Sequence, residues 1–191
     1  HGGCSMSGLS HRIAERIDLD PAAQERLQAI VAEWSLIADL AMSDLVLWLP
    51  TWNEGGFVAA ALVRPTTAPT NVPEDIVGSF VPRGRHPDLD GALTLGRTQG
   101  EAYPIHFDGR VIGVVGRHSA AQPRVAGRLE KVYAQCAADL LAMLVAGQFP
   151  GVQASQPTAD SPRVGDGLIR CSASGMVEFA SPNAVSALRR L

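Results

Sequence analysis

The sequence predicts an α+β fold in which an antiparallel sheet carries helices packed on one side. Apolar runs of strand length at residues 45–49 and 57–63 flank a short Asn- and Gly-rich loop, and this pattern indicates an antiparallel hairpin. Two longer segments, about 21–41 and 125–146, repeat apolar residues every three or four positions and predict amphipathic helices. A sheet with an apolar face and two such helices packs as two layers.

The first helix begins at a clear N-terminal signal. Asp20 supplies a side-chain cap, and Pro21 has the backbone φ that a first helical residue needs. Ser43 and Asp44 end the apolar repeat before the first hairpin. The predicted buried stripe of this helix consists of Leu27, Ile30, Val31, Trp34, Ile37, Ala38 and Ala41.

A second hairpin has the clearest turn in the sequence. Residues 103–107 and 111–117 are apolar runs on either side of Asp108-Gly109. Both turn residues tolerate the positive φ that a tight turn between twisted strands requires. The second hairpin therefore adds a further antiparallel pair to the predicted sheet.

A long irregular segment, residues 64–100, separates the two hairpins. It contains five prolines, and only residues 76–81 resemble a strand. Segments of this length without regular structure are usually functional or mobile. If this one folds over the sheet, its arginines are placed to bind an anionic ligand such as a nucleotide, because Arg contacts phosphate in a bidentate manner; a solvated loop is the alternative. The candidate ligand-binding residues are Arg64, Arg83, Arg85 and Arg97.

The second long helix carries a heptad-like apolar seam, widened by Val132 and Leu144 enough for two different contacts. Positions that the sheet does not use would pack against the same helices of a second copy, whereas in a monomer both helices would simply cover the sheet. The seam consists of Leu129, Tyr133, Cys136, Leu140, Met143 and Gly147. The candidate homodimer interface consists of Leu27, Trp34, Ile37, Tyr133, Leu140 and Met143.

A linker rich in Pro, Gly and Ser follows this helix. Beyond it, residues 168–172 and 176–180 predict a third hairpin, and Ser181-Pro182 predicts the start of a helix. A lone hairpin with a helix stub buries too little apolar surface to be stable by itself. We therefore expect this piece to dock on the preceding domain or on a neighbouring chain, or to be poorly ordered.

Composition excludes several classes of function. Of the 191 residues, 46% are hydrophobic and 18% are charged, which is typical of a globular protein. The formal net charge is −3, and no run of Lys and Arg is long enough to follow a phosphate backbone. No apolar stretch approaches the length of about 20 residues that a membrane-spanning helix needs. We expect a cytoplasmic protein that binds neither nucleic acid nor membrane directly.

The reactive side chains form no recognisable catalytic or metal-binding pattern. Cys4, Cys136 and Cys171 are far apart and show no CxxC spacing, so neither a disulfide framework nor a zinc site is predicted. His106 and His118 belong to the second hairpin and have no accompanying pair of carboxylates. We predict no catalytic residue, no metal and no evident cofactor, and leave open an unidentified small-molecule ligand.

Five stretches of the sequence resemble a known family. VAEWSLIADL at 31–40, PIHFDGRVIG at 104–113 and ADLLAM at 138–143 are similar to the GAF-like N-terminal region of soluble actinobacterial sensor histidine kinases of the PdtaS type. SPRVGDGLIR at 161–170 and GMVEFASPNA at 175–184 resemble the start of the PAS domain in the same proteins. The resemblance implies a GAF-like antiparallel sheet with helices packed on one side, followed by a truncated PAS-like hairpin and helix start.

We therefore expect four parts along the chain. Residues 1–5 are a cloning remnant, residues 6–148 a GAF-like sensor domain, residues 149–165 a linker, and residues 166–191 an incomplete PAS-like domain start. In such an arrangement the irregular segment stands where a GAF domain builds its ligand lid.

The resemblance also implies a function: the sensory and regulatory input region of a cytoplasmic two-component sensor histidine kinase, which dimerises and signals to a kinase domain and through it to a response regulator. The five histidines lie outside any helical phosphoacceptor motif, and no ATP-lid sequence follows. We expect no enzymatic activity from this chain and an ATP-dependent protein histidine kinase as its parent. A small redox enzyme on a GAF scaffold and a ligand-free structural dimerisation module remain alternatives. The small residues of the central strands fit either a cavity or close packing: Ala59, Ala60, Ala61, Gly113 and Gly116.

Overall fold

Helices and strands follow the predicted order, with one additional helix. The computed structural model describes residues 17–120, 127–151 and 162–190. The bounds in chain order are α1 Pro21–Glu33, α2 Ser35–Ala41, β1 Asp44–Pro50, β2 Gly56–Val63, β3 Phe80–Pro82, α3 Pro87–Leu95, β4 Ala102–Phe107, β5 Arg110–His118, α4 Arg128–Val145, a 3-10 turn Val164–Asp166, β6 Ile169–Cys171, β7 Val177–Ala180 and α5 Pro182–Leu188.

The N-terminal helix starts where the sequence predicts and is divided near its middle. The Asp20 carboxylate accepts a hydrogen bond from the Ala23 amide at 2.8 Å, as an N-cap does. Trp34 separates α1 from α2, yet its amide still donates to the carbonyl of Ile30 and its carbonyl accepts from Ala38. The two helices therefore run nearly end to end.

Within the described part of the chain, five strands form one antiparallel sheet in the order β3-β2-β1-β5-β4. Both predicted hairpins are present, as β1–β2 and β4–β5, and β1 pairs with β5 to join them. Asp108 and Gly109 adopt the left-handed conformation that the turn requires, with φ of 48° and 75°. The predicted α+β class with an antiparallel sheet is confirmed.

Alternate residues of the central strand β1 enter two separate cores, one on each face of the sheet. Leu45, Leu47 and Leu49 pack against α1, α2 and α4, which form a helical layer. Val46 and Trp48 pack on the opposite face, together with residues of α3. The prediction that helices gather on one side is therefore correct for three helices and wrong for α3.

Residues 64–100, which we call the covering segment, are more regular than predicted. Strand β3 pairs with the outer edge of β2, and α3 packs on the sheet through Leu89 and Ala92. Helix α3 is absent from the sequence prediction although its ends carry local signals. Pro87 occupies the first turn, and Gly96 ends the helix with a φ of 62°.

Residues 162–190, which we call the C-terminal segment, lie against the helical layer. Strands β6 and β7 pair, and the Ser181 hydroxyl caps α5, so the predicted third hairpin and helix start are present. Val164 is buried with Leu40 of α2 and Cys136 of α4. Of the expected alternatives, docking on the preceding part of the chain is the one observed.

Helix α4 does not continue as a helix towards the C-terminal segment. After Val145 the chain turns at Gly147, which has a φ of 74°, and Phe149 packs back into the core of the helical layer. Arg26 of α1 donates a hydrogen bond to the carbonyl oxygen of Phe149. The chain leaving α4 is thus held against α1.

Several predicted features lie outside the described residues. They are the remnant at residues 1–5, the start of the second helix at residue 125, and most of the linker at residues 149–165. In the ranges that the structure does describe, no helix has both the length and the apolar character to cross a lipid bilayer.

We predict that Gly56→Ala detaches β3 from the sheet. A methyl group at this position would lie 2.1 Å from the backbone oxygen of Val81, so the two strands would have to separate. The expected loss is about 1–3 kcal/mol in the free energy of unfolding, measured by denaturant titration. Gly55→Ala is the matched control, because its methyl group would meet only the Asn53 side chain, at 3.0 Å or more. Equal losses in both variants would contradict the prediction.

Candidate functional site

The candidate site is the interior between the sheet and the covering segment. Trp48 of β1 and Phe57 of β2 are buried there. A methyl group added to Gly116 would lie 3.0 Å from Trp48 Nε1, so the indole lies directly over this glycine. Gly113 faces the helical layer instead, where an added methyl group would lie 2.9 Å from Leu49 Cδ2. At both glycines the small residue permits close packing.

His118, at the end of β5, lies on the same side of the sheet as Gly116. Its Nε2 is buried and has no hydrogen-bond partner among the described residues. Burial lowers the pKa of His118 below its ordinary value of 6.5; the nearby Asp44 carboxylate acts in the opposite direction and His86 adds to the lowering. The folded protein therefore favours the neutral imidazole.

A fully buried carboxylate, Asp44, binds the covering segment to the start of β1. Its Oδ1 accepts a hydrogen bond from the Thr70 hydroxyl at 2.8 Å. Its Oδ2 accepts from the backbone amides of Asn71 at 2.5 Å and Val72 at 3.2 Å. Because a buried carboxylate is costly unless it is hydrogen-bonded, these donors fix the path of the chain at this point.

A second fully buried carboxylate, Asp39 of α2, binds two distant parts of the chain. Its Oδ1 accepts from the Thr66 amide at 2.7 Å and from the Thr66 hydroxyl at 2.9 Å. The Thr67 hydroxyl donates to the Asp39 carbonyl oxygen at 2.6 Å. From the C-terminal segment, Arg163 Nη1 donates to Oδ1 at 3.0 Å and the Val164 amide donates to Oδ2 at 3.3 Å.

Neither carboxylate is among the candidate residues predicted from the sequence, although the position of Asp39 carries one signal. Asp39 stands within the apolar stripe of the first helix, directly after Ala38, at a position where a charged side chain is unexpected. Asp44 follows the helix at the entrance to an apolar strand. A carboxylate in such a place predicts a set of buried donors, but the sequence does not say which residues supply them.

The predicted ligand-binding arginines have different environments. Arg64 donates to backbone carbonyl oxygens within the covering segment, and Arg83 forms an ion pair with Asp90 at 3.0 Å. Arg85 and Arg97 are exposed. Arg64 and Arg83 thus stabilise the covering segment, and a ligand-binding role for the four arginines stays a prediction.

Three residues of the predicted dimer interface belong to the core of this chain. Leu27, Trp34 and Ile37 are no more than 1% exposed, because α1 and α2 pack them against the sheet. Side chains that are already enclosed have no surface left for a second copy. The structure therefore does not support this half of the predicted interface.

The other half of the predicted interface lies on α4 and is divided. Tyr133 makes an edge-to-face contact with Phe179 of the C-terminal segment, with ring centroids 6.5 Å apart. Leu140 is half-buried, and Met143 is 39% exposed. Part of the apolar seam that suggested a partner chain thus contacts this chain's own C-terminal segment.

A salt bridge reinforces the contact between α4 and the C-terminal segment. Arg170 Nη1 lies 2.6 Å from Asp139 Oδ2, and Arg170 Nε lies 3.3 Å from Glu178 Oε2. The same guanidinium is 3.7 Å from the thiol of Cys136. Cys136 and Cys171 are both free thiols. In the three described ranges, no cluster of three or more His, Cys, Asp or Glu side chains is arranged to hold a metal ion.

Comparison with known proteins places this architecture in a family. Residues 9–137 match the family model described as the GAF domain of the histidine kinase PdtaS. The chain is 36% identical over 204 residues to the sensor histidine kinase PdtaS of Mycolicibacterium smegmatis and 37% identical over 206 residues to that of Mycobacterium tuberculosis. Each alignment covers 97% of this chain but 41% of the relative, so the chain spans about two fifths of the length of these curated relatives.

A solved structure is also similar. It is described as the sensor region of a sensor histidine kinase and matches with a TM-score of 0.82 at 39% sequence identity. The match covers 93% of this chain and 66% of the other.

We predict that protonation of His118 destabilises the fold. Because burial lowers its pKa in the folded protein, the unfolded chain binds the proton more tightly. The free energy of unfolding should therefore be unaffected by this group above pH 6.5 and should decrease as the pH falls through the folded pKa. His118→Gln should reduce the loss of stability between about pH 7.5 and about pH 5.5, measured by denaturant titration. His86→Gln is the control: because His86 is exposed, this variant should lose nearly as much stability over that pH range as the wild type. An NMR titration midpoint for His118 at or above 6.5 would refute the prediction.

Proposed function

The chain belongs to the GAF-domain family of the histidine kinase PdtaS, and from this premise we propose that it is the sensory and regulatory input region of a two-component sensor histidine kinase. The observation that carries the proposal is the family match over residues 9–137, joined to a similar fold in the sensor region of another sensor histidine kinase. The family resemblance of the sequence is thereby confirmed.

The layered architecture suits an input region. One face of the sheet lies under the covering segment, where a GAF-like lid would receive a signal. The other face lies under the helical layer, and the C-terminal segment docks on that layer through Val164 and Arg170. A structural change on the face under the covering segment can therefore reach the C-terminal segment through elements that pack directly on one another.

The remaining parts of the proposal concern a longer protein. We place the ATP-dependent histidine kinase activity in a kinase domain of that protein and make a response regulator the partner of that domain. A cytoplasmic location is part of the same proposal. The support is that both PdtaS relatives are named sensor histidine kinases and extend well beyond the matched length. We also keep as part of this proposal that Arg64, Arg83, Arg85 and Arg97 bind an anionic small-molecule ligand.

A second candidate function is a relay module that senses no small molecule. The observation in its favour is the close contact of the Trp48 indole with Gly116. The indole fills the space that a ligand would need there. The third option, a redox enzyme, is less well supported. The covering segment contains no cysteine, and Cys136 is buried on the helical side under the C-terminal segment.

We predict that repacking the sheet face under the covering segment changes kinase output. Trp48→Phe and Gly116→Ala, introduced separately into the full-length protein, should each change the autophosphorylation rate about threefold or more, which is roughly the effect of 0.7 kcal/mol on a signalling equilibrium. Autophosphorylation with labelled ATP measures the effect. Trp52→Phe is the matched control, because Trp52 lies in the β1–β2 turn and is 68% exposed.

Two results would separate the candidate functions. Rates unchanged by both buried substitutions would contradict an input role for this face. If the rates change, a titration with a panel of nucleotides, followed by NMR shifts of the covering segment, distinguishes ligand sensing from ligand-free relay. Ligand sensing is supported if the NMR shifts saturate with nucleotide concentration and are weakened by Arg85→Gln. Ligand-free relay is supported if no shifts occur.

We also propose that the chain forms a homodimer through the exposed side of α4. Leu129 and Met143 are two heptads apart and so share one stripe of α4, and both remain more than one third exposed beside the docked C-terminal segment. This surface replaces the predicted contribution of Leu27, Trp34 and Ile37.

We predict that Met143→Asp converts the dimer to a monomer, because a carboxylate would be buried without a partner at the interface. Native mass spectrometry of the chain at tens of micromolar measures the oligomeric state. Leu95→Asp is the control, since Leu95 is an exposed apolar residue of α3 on the opposite side of the sheet. A wild-type monomer under these conditions would contradict the proposal.

A further inference from the structure

Two buried carboxylates hold the covering segment in closely similar ways. Asp39 and Asp44 are both fully buried, and each accepts a hydrogen bond from the hydroxyl of a threonine in the covering segment. The Thr66 hydroxyl lies 2.9 Å from Asp39 Oδ1, and the Thr70 hydroxyl lies 2.8 Å from Asp44 Oδ1. The two contacts therefore form a natural pair for comparison.

Only Asp39, of these two, also binds the C-terminal segment within the described residues. Its Oδ1 accepts from Arg163 Nη1 at 3.0 Å as well as from Thr66, and its Oδ2 accepts from the Val164 amide at 3.3 Å. One carboxylate thus carries donors from parts of the chain that are about 100 residues apart. The Asp44 carboxylate takes its donors from residues 70–72 of the covering segment.

The shared carboxylate makes the two segments interdependent. A buried carboxylate that loses a donor retains the cost of its burial, and the remaining donors must then compensate or move. When the covering segment withdraws Thr66, the Asp39 carboxylate therefore shifts with respect to the Arg163 guanidinium at Oδ1 and the Val164 amide at Oδ2. Groups that share one hydrogen-bonded partner are energetically coupled in this way.

The other contacts of the C-terminal segment lead elsewhere. Val164 packs with Leu40 and Cys136, and Arg170 pairs with Asp139, so these contacts reach α2 and α4. Among the hydrogen bonds of the described residues, the covering and C-terminal segments otherwise meet where Arg163 Nη1 donates to the Arg64 carbonyl oxygen at 3.3 Å. Helix α4 itself ends at Val145, so it does not connect to the C-terminal segment as one continuous helix.

We propose that Asp39 is the coupling residue through which the covering segment controls the attachment of the C-terminal segment. Displacement of the covering segment loosens residues 163–164, and release of residues 163–164 loosens Thr66 and Thr67. As a step in signalling this rests on the proposed input function. The coupling itself is a property of this chain and needs neither ligand nor kinase domain.

The test uses matched substitutions in the 191-residue chain. Thr66→Val and Thr70→Val each remove one hydroxyl donor from one buried carboxylate and preserve side-chain shape. We expect Thr66→Val to accelerate hydrogen exchange of the Val164 amide by roughly three- to tenfold, as expected for the loss of one hydrogen bond. Thr70→Val should leave that amide unchanged. Residue-resolved NMR exchange on isotope-labelled protein provides the measurement.

The reciprocal experiment starts from the C-terminal segment. Arg163→Met should accelerate exchange of the Thr66 amide by a similar factor, whereas Arg170→Met, which removes the salt bridge to Asp139, should leave it unchanged. If Thr66→Val does not fold, this pair of variants decides the question. Equal effects of test and control substitutions, or no effect of either, would overturn the proposal. Because no kinase activity is measured, such a failure would leave the proposed input function standing.

Discussion

The arrangement of the whole chain depends on the burial of two carboxylates at the junction of α2 and β1. Asp39 and Asp44 lie five positions apart and are both fully enclosed, so each requires hydrogen-bond donors that the protein must supply. Those donors come mainly from residues 66–72. The chain leaving β2 must therefore return to this junction before it crosses the second face of the sheet, and α3 can then pack there.

Because the chain returns across the second face of the sheet, the central strand is buried, and apolar, on both sides. Strand β1 faces the helical layer with Leu45, Leu47 and Leu49 and faces the covering segment with Val46 and Trp48. A strand buried on both faces needs a continuous apolar run, and a rigid, closely packed sheet separates the two layers. Asp39 connects the two sides, because its carboxylate accepts donors from both the covering segment and the C-terminal segment.

The apolar surface of α4 serves two partners within one chain. Leu141 and Leu144 pack towards the sheet, while Tyr133 and Cys136 contact the C-terminal segment. A heptad-like seam indicates that two surfaces meet a helix, but it does not identify them. Here the C-terminal segment covers a large part of the seam. The part that stays exposed, around Met143, is the surface proposed for the homodimer.

What the sequence alone determines is the local chemistry. Asp20 with Pro21 starts a helix, and Asp108 with Gly109 forms a turn, because capping and positive φ depend only on adjacent residues. Tertiary structure decided which surface each apolar face meets, and so it enclosed Leu27 in the core and placed α3 on the second face of the sheet. It also decided the donors of Asp39, since the Val164 amide that binds this carboxylate lies 125 positions further along the chain. Periodicity shows that a side chain will be buried, but only the folded chain determines what buries it.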